Sequence, residues 1–238
     1  MFVSVWLYGQ AGTLLDTLYI SPGDEILNGE AIKDYTNKWK VTYYDSEGNE
    51  TPNRIWTDYG QIMELEGKRY FHRVQDLYSP NMVLQDTWIN MVNYPSLVPV
   101  SFSSLKPDGS FTYLSFKGSE VTGSSNQVKP GEKSNVNSEL TKEVFDWNLY
   151  GILLVGLPLK DGLIASLPFY SMQTGEVEEL IVEVIGTETM KIPNLKSYNT
   201  WKIQTNQNLL FWISKKVPYV LRLELKLQNG GKLIWEVI

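Results

Sequence analysis

The stretch PYVLRLELKLQNGGKLIWEVI, Pro218–Ile238, decides the fold. Leucine occupies 221, 223, 225 and 227, and Arg222, Glu224 and Lys226 fill the gaps. A period of two is the signature of a strand with one apolar and one wet face. A turn and a second strand follow, in which Leu233, Trp235 and Val237 share a face. Burying the four leucines is worth about 6–12 kcal/mol gross, an upper figure. The chain has to cover that face, and what covers it sets both fold and function.

The same rhythm runs outward from this end. Trp39, Val41 and Tyr43 alternate with Lys38, Lys40 and Thr42. Further strands are predicted over 54–65, 69–78, 82–91, 97–105 and 110–117, and again over 163–172, 177–187, 199–206, 208–214, 219–227 and 232–238. The breakers between the early ones are EGK, SPN, NYPS and KPDG, in which Gly, Pro or Asn has a turn-making reason to be there. Leu209–Ile213, LLFWI, is apolar on both faces, so it is expected to be covered on both. Residues 118–137 are polar and lack aromatics, and read as a flexible exposed loop. One helix is predicted over 138–157. Asn137 or Ser138 would cap it, Val144, Phe145, Leu149, Ile152 and Leu153 form its apolar stripe, and Pro158 ends it.

These elements do not match in area. About ten strands spaced ~4.8 Å apart make a surface roughly 45–50 Å wide. A helix of ~18 residues is about 27 Å long and ~10 Å wide. It covers a fraction of one face, so the sheet has to curl on itself. The expected fold is mainly β: a large curled antiparallel sheet, a half-open barrel, with one main helix in or across its concave face. That interior is filled by side chains or keeps a hollow.

Composition limits the function. The chain has 238 residues and a net charge of −6, with 21 Lys+Arg against 27 Asp+Glu. No basic run is present, which excludes nucleic acid as a favoured partner. Cysteine is absent, which removes disulfides, thiolate nucleophiles and thiolate metal sites. Residues 1–11, MFVSVWLYGQA, hold a short apolar run and a small-x-small triplet. They read as the remnant of a secretory signal, although no basic residue precedes Lys33. Residues 12–238 read as one domain.

A resemblance adds to this. WNLYGILLVGLPLKDG, VEVIGTETMKIP and NTWKIQTNQNLLFWISKKVPYVLRLE follow one another in an order that resembles a bacterial family of exported domains of unknown function. The fold of that family is similar to the lipoprotein-localisation factors LolA and LolB. Residues 138–238 carry the resemblance; Pro193 matches, and Asn194 stands where a Gly is expected. It implies a half-open barrel around a helix, an envelope location and an apolar cavity, and it brings no catalytic residue.

No reaction motif appears. His72 is the only histidine, in a strand where a structural role suffices. PGEKS at 130–134 lacks the first Gly of a phosphate loop. DSEGNE at 45–50 fails the calcium-loop spacing. Neither cofactor nor metal is expected. The remaining lead is aromatic: eight Trp, fourteen Tyr and eight Phe. Trp39, Tyr43, Trp201, Phe211, Leu223 and Trp235 are the expected ligand-binding residues. The leading expectation is a non-catalytic, monomeric protein of the periplasm. It would hold a lipid, an acyl chain or a lipidated partner, with peripheral contact at the outer membrane. A carbohydrate-binding module or glycan-active enzyme is the first alternative, and a structural or assembly component of the envelope the second.

Overall fold

The chain folds into one continuous curled sheet that does not close. The computed structural model describes residues 17–129, 132–192 and 196–238; the predicted signal remnant at 1–11 and Asn194 lie outside them. The first half of the chain gives β1 (Thr17–Tyr19), β2 (Tyr35–Tyr44), β3 (Arg54–Leu65), β4 (Lys68–Tyr78) and β5 (Leu84–Asn93). β6 (Pro99–Leu105), β7 (Phe111–Lys117), β8 (Glu120–Lys129) and β9 (Glu132–Glu139) continue it. After β10 (Phe145–Asp146) and helix α1 (Tyr150–Gly156) come β11 (Ile164–Tyr170), β12 (Val177–Lys191) and β13 (Ser197–Thr205). β14 (Leu209–Ile213), β15 (Val220–Lys226) and β16 (Lys232–Val237) complete the chain.

Strand order is β1-β11-β12-β13-β14-β15-β16-β2-β3-β4-β5-β6-β7-β8-β9. β1 and β10 both run parallel to β11, along its otherwise open edge; all other pairs are antiparallel. The decisive pairing is β16 with β2, with Trp235 opposite Val41 and Val237 opposite Trp39. It joins the hairpins of the two halves of the chain into one surface. The far edge then curls round towards β11. There the Ser138 and Tyr170 hydroxyls lie 3.2 Å apart, and the Phe116 and Tyr170 rings meet edge to face. A small cluster of Phe102, Leu114, Phe116, Val121, Val144 and Tyr170 packs this seam, apart from the main core.

Two expectations are corrected. Most of the predicted loop over 118–137 is a strand hairpin: β8 and β9 pair from Glu120↔Glu139 to Lys129↔Glu132. Their inward positions carry Val121, Gly123 and Ser125, and buried Ser125 meets the Thr112 hydroxyl at 2.8 Å, so the alternation has no greasy face to reveal it. Gly123 is required there, because a Cβ would stand 1.9 Å from the Tyr113 carbonyl oxygen. The helix is also shorter than 138–157. Residues 138–139 end β9, Phe145–Asp146 form β10, Trp147–Leu149 make a 3-10 turn, and only Tyr150–Gly156 is α-helical. Every residue of the predicted stripe is buried all the same.

From Ile152 to Gly156 helix α1 is buried all round, as a helix without a polar face must be, while Tyr150 and Gly151 at its start are half-buried. It enters the trough between β14 and the turn at Gly29–Ala31. Gly151 allows the close approach, since a Cβ would stand 2.8 Å from Val220 Cγ2. The Lys215 ammonium closes the helix C-terminus, donating to the Val155 and Leu157 carbonyl oxygens at 2.6 Å each. A cation there satisfies orphan carbonyls and complements the helix dipole. LLFWI is covered on both faces, by different means. Phe211 and Ile213 enter the core. Outside, Trp212 is sheltered by Lys202 and Arg222 and donates from Nε1 to Glu188 Oε2 at 2.8 Å. Lys215→Met is expected to cost about 1–3 kcal/mol by leaving buried carbonyls unmet. Urea unfolding should show a lower midpoint with an unchanged slope.

Candidate functional site

The concave face has a dry region and an open region. Around β11–β13 the inward side chains are sealed: Ala165, Leu167, Leu180, Val182 and Ile203 are each at 0% exposure. On the other side of α1, from β14 across to β5, several large apolar inward residues are only half-buried. They include Trp56, Trp88, Leu209, Leu223, Leu225 and Trp235. They surround a hollow of about 270 Å³, near the lower end of the range for small-molecule pockets.

Each wall has a cause in the strand pattern. Period two brings Leu209 and Phe211 inward on β14, opposite Leu225 and Leu223 on β15. A bulge beside Ile213 shifts the register, so that Val220 also faces the helix. Across the trough, tryptophans from β16, β3, β5 and the 3-10 turn form a continuous row. The rings of Trp235–Trp56, Trp56–Trp88 and Trp88–Trp147 meet edge to face at 5.7, 5.4 and 5.2 Å. That geometry suits the ring quadrupoles and fixes each ring by its neighbour.

Of the six expected ligand-binding residues, Trp39, Phe211, Leu223 and Trp235 line the hollow. Tyr43 does not: it lies further along β2, opposite Leu233 and beside the β15–β16 turn. Trp201 does not either: it pairs with Ile213 and packs against the closed core. Both carry the right alternation, but position along the strand removes them from the opening.

One end of the hollow is polar, and sequence reasoning missed it. Arg73, Gln75 and Asn148 line it. The Arg73 guanidinium grips Asp58 with Nε at 2.9 Å and Nη2 at 2.7 Å, and Nη1 donates to the Asn148 carbonyl oxygen at 2.6 Å. The Tyr35 hydroxyl donates to the same Asp58 at 3.1 Å. Asn148 Nδ2 donates to Gln75 Oε1 at 3.0 Å and to Asn90 Oδ1 at 2.7 Å. Asn90 donates in turn to the Asp146 carboxyl, which also accepts the Asn148 backbone N–H at 3.0 Å and so starts the 3-10 turn.

Burial shapes the charges here. It would lower the Arg73 pKa, but the Asp58 carboxylate outweighs it and holds the guanidinium above its ordinary value. Burial pushes Tyr35 well up. It raises Asp146 to about 7, against the opposing pull of the Asn148 N–H and the Asn90 amide. His72 faces away from the hollow, on the strand face opposite Phe71 and Arg73, and burial lowers its pKa. Among the described residues no group of three or more His, Cys, Asp or Glu is placed to hold a metal, and no helix is long and apolar enough to cross a membrane.

Two outcomes test this network. Asp58→Ala leaves Arg73 charged and unpaired in the interior, and is expected to cost about 3–5 kcal/mol in denaturant unfolding. Asp146 binds its proton more tightly folded than unfolded. Its contribution is therefore full at low pH and is lost as pH rises from its unfolded value near 4 to about 7. The slope approaches about 1.4 kcal/mol per pH unit. Melting curves of the wild type and Asp146→Asn should converge towards pH 4 and diverge towards pH 8, the wild type losing the more. The difference isolates Asp146, because His72 titrates in both proteins.

No curated protein matches the chain. Among solved structures, a β-barrel-like protein with the domain DUF1849 from Brucella abortus is 8% identical, with 87% of this chain and 96% of that one covered and a TM-score of 0.37. A candidate lipoprotein from Parabacteroides distasonis is 12% identical, with 87% and 94% covered and a TM-score of 0.34. A candidate exported protein with a YmcC-like fold from Bacteroides fragilis is 10% identical, with 87% and 96% covered and a TM-score of 0.33. The profile of DUF3108, a protein family of unknown function, matches residues 38–233. That span contains every wall of the hollow except Trp235, and on the strength of it the chain belongs to the DUF3108 family.

Proposed function

We propose that the protein is a non-catalytic binding protein of the cell envelope, and that it takes an apolar ligand such as an acyl chain into the open part of its trough. The half-exposed apolar wall of the hollow carries this reading. Side chains such as Leu223, Leu225 and Trp56 are worth about 1.5–3 kcal/mol each when fully buried, and here that burial is left incomplete. A ligand completes it, at about 0.8 kcal/mol per methylene removed from water. The volume suits a single chain segment rather than a whole lipid. An envelope location is supported by the apolar run and small-residue triplet within residues 1–11.

The tryptophan row argues against a sugar platform. Stacking on a sugar requires a flat, open row of ring faces, whereas successive rings in this row are turned edge to face against one another. The bound state involves no bond-making, and the selectivity of the hollow is for width and greasiness.

The reading is tested with N-phenyl-1-naphthylamine, a dye that brightens in apolar sites. The expected result is saturable binding, displacement by octyl-chain compounds, and at least tenfold weaker binding in Leu225→Trp, which fills the hollow. A wild-type protein that neither brightens the dye nor retains an acyl compound in native mass spectrometry would overturn it.

A further inference from the structure

The hollow has a greasy body and a polar end, and the end has donors to spare. Gln75 is 5% exposed, and its Oε1 is taken by Asn148. Its Nε2 has no hydrogen-bond partner among the described residues, and it is not one of the sealed, unpaired polar atoms. Since Gln75 lies on the inward face of β4 and lines the hollow, that amide opens into it. An unpaired buried donor costs free energy that an arriving acceptor recovers. Arg73 stands beside it with its three hydrogen bonds directed to Asp58 and Asn148.

The charge at this end is already balanced. Asp58 neutralises Arg73 at 2.7 Å, and the Asp146 carboxyl sits behind Asn148. A second carboxylate would enter without a free cation to meet it and with Asp146 nearby. A neutral carbonyl needs only the N–H groups. Resting on the binding reading above, we infer that the ligand is an acyl ester or amide, whose carbonyl oxygen accepts from Gln75 Nε2 at the Arg73–Asn148 end while its chain runs along the tryptophan row. A free fatty acid is the disfavoured form.

Two experiments decide this. In the first, wild-type protein is titrated with methyl octanoate, octanoate and nonane, each displacing N-phenyl-1-naphthylamine. Methyl octanoate is expected to bind about tenfold more tightly than nonane, relative to their partition into octanol, and more tightly than octanoate at pH 8. In the second, Gln75→Met keeps the shape and removes the Nε2 donor together with the Oε1 acceptor of Asn148, whose Nδ2 keeps its bond to Asn90. The variant's preference for methyl octanoate over nonane, relative to their partition into octanol, should fall about tenfold, to near one. Octanoate binding best, or ester and alkane binding alike once partition is removed, would overturn the inference, as would a Gln75→Met protein with unchanged ester preference. Because the first experiment uses unmodified protein, a failure of the variant to fold leaves the test intact. Dye binding without ester preference rejects only this inference, whereas absence of dye binding rejects the pocket itself.

Discussion

The pairing of β16 with β2 holds the molecule together. Without it, the hairpins from β2 to β9 and those from β11 to β16 would be two sheets, each with an apolar face and no partner. Antiparallel neighbours at Val237↔Trp39 and Trp235↔Val41 make them one surface. The inward alternation then continues from Phe211 through Leu223, Trp235 and Trp39 to Trp56 without a break in face. The pairing also assembles the site, because the Trp235 and Trp56 rings come from strands far apart in sequence and meet only because β2 lies between their strands.

What could be read from the sequence follows from which signals are local. Period two marks a strand wherever one face is greasy, so β2 to β7 and β11 to β16 were legible, and with them the excess of sheet over helix. β8 and β9 escaped because their inward residues are Val121, Gly123 and Ser125, which pack by smallness and by a hydroxyl contact with Thr112. The region before α1 misled in the opposite way. Val144, Phe145 and Leu149 are spaced as on a helix face and are indeed buried, but the backbone reaches that burial as a strand followed by a 3-10 turn. Burial at such a spacing has more than one backbone solution. Asp146 selects between them by accepting the Asn148 N–H and opening the turn there.

The site was legible in its apolar part only. Trp39, Phe211, Leu223 and Trp235 carry their inward direction in their alternation. Tyr43 and Trp201 carry the same signal, and position along the strand separates them from the opening, which no local pattern encodes. The polar end was invisible for a firmer reason. On β4 the alternation Tyr70, His72, Val74 invites those residues to be taken as a common face, yet Phe71, Arg73 and Gln75 are the buried ones. Arg73 and Gln75 look like solvent residues until Asp58 and Asn148 are placed beside them, and those partners come from β3 and from the turn before α1.

The hollow itself follows from the length of one helix. Seven residues of α1 extend about 10 Å, whereas fifteen paired strands spread over about 70 Å before they curl. α1 packs on β14, held by the Gly151 contact with Val220 and by the Lys215 cap at its end. The inward residues of β11–β13 nearest α1 are therefore dry, whereas Leu223 and Leu225 on β15, Trp56 on β3 and Trp88 on β5 are half wet. A core built only for stability would close the remainder with larger side chains, since each unfilled contact forfeits dispersion and burial. This chain instead lays down tryptophans that brace one another edge to face, so the wall keeps its shape by its own contacts. A braced apolar wall beside a buried ion pair and an unused amide is an arrangement in which a ligand has little ordering cost to meet, because the protein met it on folding.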